Sequence, residues 1–172
     1  MPMQPWQEFF EMLGGTAATL LGLLFVSVSL NAETILGPAH RQSKRLAEQA
    51  FQNYLAVLLV SLFAVYPAMG PVSLGYTLLW VAGIWGTWAI ARAWPAFTER
   101  GHAPPLGVAR RYVTTLVGFG MLVYAAYRMI GGALYRAEEI AIGAMVLLLS
   151  ATIVSWELLI KLAQEKYRGP SL

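Results

Sequence analysis

Two glutamates and a row of small residues on one helical face are the positions in this sequence best suited to chemistry. Gly14, Ala18 and Gly22 recur every fourth residue, and Gly15, Ser29, Glu11 and Glu33 gather beside them at about 100° per residue. On a helix Glu11 and Glu33 would stand about 33 Å apart, close to the ~30 Å hydrocarbon thickness of a bilayer. Turned inward in a symmetric oligomer, that face would put a ring of carboxylates at each mouth of a pore. Carboxylate rings attract and select cations. The expected pore-lining or mouth residues are therefore Glu11, Gly15, Ala18, Gly22, Ser29 and Glu33. Gly14, Ala18 and Gly22 also form a doubled small-xxx-small pattern, which lets helix backbones approach closely in lipid. They are the expected helix-packing residues. A plainer account makes Glu11 and Glu33 ordinary interfacial acids flanking a tightly packed helix.

Other ionisable positions pair up by spacing. Arg128 falls before Gly131-Gly132 and Glu138-Glu139 after it, so a hairpin-closing ion pair is expected there. Glu157 precedes Lys161 by one turn, in the favourable order for a helical pair. Trp88 precedes Arg92 by one turn, which suits a cation–π contact. His40 and His102 have no metal-ligand spacing, and no hydrolase, phosphate-binding or dinucleotide motif occurs. The chain has no cysteine and no aspartate, which excludes thiolate chemistry and an aspartyl intramembrane protease. No enzymatic activity, cofactor or metal is expected.

These residues must be carried by membrane-spanning helices. Gly14–Leu30, Leu55–Met69, Val72–Ala91, Val113–Gly132 and Ile140–Ile160 are nearly free of charge. Each, with its flanks, approaches the ~20 residues needed to cross a bilayer. Of the 172 residues 58% are hydrophobic and only 12% charged, against ~25% charged in soluble domains; mean hydropathy is +0.57. The expected fold is all-α: one polytopic transmembrane helix bundle over residues 1–172, with five spans near 8–31, 49–69, 72–93, 111–132 and 138–161. The first charges are the acidic Glu8 and Glu11, so the first run is expected to stay as a span.

Charge orients the bundle. Arg41, Lys44 and Arg45, then Arg92, Arg100, Arg110 and Arg111, then Lys161, Lys166 and Arg168 all fall on one side of a five-span arrangement. The positive-inside rule puts the N-terminus outside and the C-terminus in the cytoplasm. The net charge of +3 then reflects loop bias and implies no nucleic-acid partner. Pro67 and Pro71 bracket a tight external turn, and Trp94-Pro95 with Pro104-Pro105 mark an internal link. The stretch 41–50 is polar but helix-prone, and is expected to extend the second span.

The segment from Phe9-Phe10 through Gly14-Gly15, Gly22 and Phe25 to Ser29 resembles the first span of a group of small, functionally uncharacterised multi-span proteins. Those proteins belong to the bacterial inner membrane, and some are labelled modulators of the FtsH membrane protease. The resemblance covers about a third of the chain and implies a multi-pass inner-membrane location. It carries over no site residue. The residues themselves point first to a homo-oligomeric, cation-conducting channel embedded in the lipid bilayer, with the first span at its axis. A non-enzymatic scaffold or regulator, holding another membrane protein by the same small-residue face, is the alternative.

Overall fold

A computed structural model describes residues 4–32, 35, 41–98, 106–132 and 136–168. Five helices account for nearly all of them: α1 (Gln4–Leu30), α2 (Arg41–Val65), α3 (Pro71–Thr98), α4 (Leu106–Ile130) and α5 (Ala137–Arg168). All five are long and apolar enough to cross a membrane. Apolar runs of this length form helices because only intrasegment hydrogen bonds can satisfy a backbone away from water.

The helix ends follow local chemistry. Pro71 opens α3, where a missing N–H costs nothing. Gly132 ends α4 at φ 87°, a left-handed conformation suited to glycine. Its N–H donates to the Met129 carbonyl at 3.2 Å, and that of Gly131 to Tyr127 at 3.0 Å. Glu138 and Glu139 occupy the first turn of α5, at the positive end of its dipole. The polar stretch 41–50 is helical, as its propensities suggest. In contrast, Trp94-Pro95 does not end α3, which runs on to Thr98. A proline in a final turn removes only one backbone bond there.

Helices α2, α5, α4 and α3 contact one another in that order around a ring, closed by a lighter α3–α2 contact. Helix α1 lies outside the ring against α2 and barely touches α5. Its buried side chains are Phe10, Leu13, Ala17 and Leu24, a stripe of helical period. One apolar cluster joins α1 to the half of the ring near the α2–α3 turn, through Val57, Val60, Leu78, Leu122 and Met129. A second, built on Leu46, Tyr54, Val154 and Leu158, ties α1, α2 and α5 together near the other end.

Glycines set the closest crossings. A Cβ on Gly118 of α4 would meet Leu147 at 2.7 Å and the Gly143 carbonyl at 3.3 Å. A Cβ on Gly143 of α5 would meet Leu122 at 3.1 Å and the Gly118 carbonyl at 3.3 Å, so the two glycines face each other. On the other side of α4, a Cβ on Gly75 of α3 would meet the Ala126 carbonyl at 3.1 Å. Close backbone approach is how helices gain contact area where lipid provides no hydrophobic drive.

Candidate functional site

Helix α1 divides its small residues between two surroundings. Gly14 is buried, and a Cβ there would meet the Ser61 Cβ of α2 at 3.0 Å. Ala18 and Gly22 are exposed, and nothing lies within 4 Å of a Cβ built on Gly22. Each four-residue step advances about 40° around a helix, so the stripe drifts off the packed face after Gly14. Within one copy, only Gly14 of the three packing candidates packs closely. Glu11, Gly15 and Ser29 are also exposed, on the same uncovered flank. The Glu11 carboxylate accepts a hydrogen bond from Gln7 at 3.0 Å. Glu33 lies outside the described residues.

The charged pairs only partly follow the spacing. Arg128 donates to the Tyr124 hydroxyl at 2.9 Å and lies 5.7 Å from that ring's centroid. Among the described residues it makes no ion pair, so it does not close the hairpin with Glu138 or Glu139. Glu139 instead meets Arg136 at 3.7 Å, within its own end of the turn. Glu157, read from spacing as the helical neighbour of Lys161, reaches across to Arg111 of α4 at 3.2 Å. Arg92 stacks over Trp88 at 5.3 Å, as the one-turn spacing suggests. It also pairs with Glu48 of α2 at 3.0 Å and donates to Gln52 at 3.3 Å.

The largest polar assembly is one that spacing does not reveal. The Thr115 hydroxyl of α4 accepts from Gln49 at 3.2 Å and from Asn53 at 3.1 Å, both on α2. It lies 2.8 Å from the Ser150 hydroxyl of α5, which also accepts from Thr114 at 3.2 Å. A hydroxyl has two lone pairs and one proton. The Asn53 amide also reaches Ser150 at 3.4 Å, and either hydroxyl of the Thr115–Ser150 pair can be the donor. Gln49, Asn53, Thr115 and Ser150 are all buried, and burial makes each of these bonds necessary. Tyr54, next to Asn53 on α2, reaches Thr152 and Ser155 of α5 at 3.4 Å. The only hint in the sequence is the one-turn spacing of Gln49 and Asn53 at the start of an apolar span, opposite isolated hydroxyls in two others.

This network floors a cavity of about 290 Å³ between α2, α3 and α4. Arg45, Glu48, Gln49, Gln52 and Asn53 line it from α2, Trp85 and Arg92 from α3, and Tyr112, Thr115 and Phe119 from α4. Helices α2 and α3 are held by apolar packing toward their connecting turn and by Arg92 at the other end. The cavity occupies the gap between those two contacts. A second, largely apolar hollow of about 230 Å³ lies between Leu24, Phe25 and Val28 of α1 and Ala47, Glu48, Phe51 and Gln52 of α2. Among the described residues no group of acids and histidines is placed to hold a metal ion.

No family model, no curated protein and no solved structure matches this chain.

Proposed function

We propose that this chain is a multi-pass protein of a bacterial inner membrane that forms a homo-oligomer, with the uncovered face of α1 lining a cation-conducting pore. The supporting observation is that Glu11, Gly15, Ala18, Gly22 and Ser29 all lie outside the bundle and contribute nothing to its core. Among the described residues, the inside of a single copy is packed against a conducting route. The polar cavity stops at Asn53, Thr115 and Phe119, and beyond it Val57, Val60, Leu78, Leu122 and Met129 fill the core. This favours a path between copies. A flank with a carboxylate at one end and small residues along it suits that position. The basic segments orient the bundle with the N-terminus outside and the C-terminus in the cytoplasm.

Native mass of the solubilised protein, followed by conductance of the same preparation in planar bilayers, tests this reading. A ring of several copies that passes cations, with conductance lowered by Glu11→Gln at low salt and less so at high salt, supports it. A monomer that passes no ions refutes it. The same face would then be a seat for one helix of another membrane protein, which makes the chain a scaffold or regulator.

A further inference from the structure

We propose that the cavity between α2, α3 and α4 binds a small hydroxylated carboxylate. This inference does not rest on the pore reading. Charge comes first. Glu48 and Arg92 neutralise each other at 3.0 Å, while Arg45, on the same lining, makes no ion pair among the described residues. One positive charge is left over, which a monoanion would match. A neutral ligand would leave that charge to water, and an ammonium group would add to it.

Hydrogen-bond capacity narrows the class further. The Asn53 amide nitrogen gives its hydrogens to Thr115 and Ser150, and that of Gln49 gives one to Thr115 and keeps a second N–H. No described group donates to either side-chain carbonyl oxygen, and a carbonyl only accepts. Hydroxyls at the end away from Arg45 can donate to both carbonyls and accept from the remaining Gln49 N–H without added charge. Trp85, Tyr112 and Phe119 form an apolar wall against which the C–H face of a short hydroxylated chain can lie. The volume of about 290 Å³ is near the lower edge of small-molecule sites, which span roughly 300–1,000 Å³. An apolar enclosure with a few converging polar groups is the usual make-up of such a site.

The test is calorimetric titration of the purified full chain in detergent with three probes: gluconate, sorbitol and butyrate. Sorbitol keeps the hydroxyls without the charge, and butyrate keeps the charge without the hydroxyls. Gluconate should bind saturably, and the other two at least about tenfold more weakly, since each lacks one charge-assisted or hydroxyl contact set. Arg45→Gln, at an exposed position where folding is not at stake, should weaken gluconate by at least about tenfold. Gln49→Glu should abolish binding by setting a like charge on the floor; if that variant does not fold, Arg45→Gln decides. Absence of saturable gluconate binding by protein that melts cooperatively overturns the proposal. So does sorbitol binding as tightly as gluconate, or an unchanged affinity in Arg45→Gln.

Discussion

Arg111 of α4 and Glu157 of α5 meet 3.2 Å apart, with the arginine side chain 8% exposed and the glutamate 31%. Arg111 also stacks on Tyr112 at 5.2 Å, and its buried Nε has no hydrogen-bond partner among the described residues. The pair is asymmetric, and the asymmetry predicts which half matters more. Removing Glu157 strands a buried cation, whereas removing Arg111 leaves an acid that can reach water. Glu157→Ala should lower stability by up to about 3–5 kcal/mol. Arg111→Met should cost clearly less. The double variant Arg111→Met with Glu157→Leu should recover most of the loss. Thermal melting of the detergent-solubilised variants measures all three; equal losses for both single variants would contradict the asymmetry.

Thr115 is the acceptor for two buried amides at once. Thr115→Val keeps its shape and deletes that acceptor, leaving the Gln49 amide without its partner and Asn53 with Ser150 at 3.4 Å. A loss of about 1–3 kcal/mol is expected for each buried donor left unmade. Thr115→Ser should retain most of the stability. Thr114, which is half-buried and bonds only from the side of Ser150 and its own helix, should tolerate valine better. Chemical denaturation of the three variants ranks them.

Glycines that look alike in the sequence should respond differently. Gly75→Ala meets a backbone carbonyl at 3.1 Å, and Gly118→Ala meets the buried Leu147 at 2.7 Å. Overpacking of this kind costs about 1–3 kcal/mol. Gly22→Ala meets nothing within 4 Å, so it should leave the melting temperature unchanged or raised. Gly22→Leu should likewise spare the single copy. If α1 faces other copies, that variant should instead dissociate the oligomer, which native mass will register. A Gly22→Leu protein of unchanged mass would remove this face from any interface.

Orientation can be tested without background labelling, because the chain has no cysteine. Gln7, near the start of α1, and Lys44, in the first turn of α2, are both exposed. Single cysteines at Gln7 and Lys44 should react with an impermeant maleimide from opposite sides of the membrane, Gln7 from outside. Labelling of both from one side would mean that α1 does not cross.

The chain's linear pattern determined much of the outline. Five helices long and apolar enough to span a membrane are visible in it because hydropathy is a property of consecutive residues. The contact of Arg92 with Trp88 was legible for a similar reason, since one-turn spacing on a helix makes neighbours. Spacing did not identify Arg111 as a partner of Glu157, the Tyr124 hydroxyl as a partner of Arg128, or the meeting of Gln49 and Asn53 with Thr115 and Ser150. Those contacts depend on how far each helix is rotated about its axis and which helix lies beside it. Close crossings such as Gly118 on Gly143 and Gly75 on Ala126 set both quantities, and no local period encodes them. Likewise, Gly14, Ala18 and Gly22 read as one stripe, yet only Gly14 turned toward α2. The packed face of α1 follows Phe10, Leu13, Ala17 and Leu24, whose bulk buries more apolar surface than a glycine row can, and it carries the small residues out to its flank.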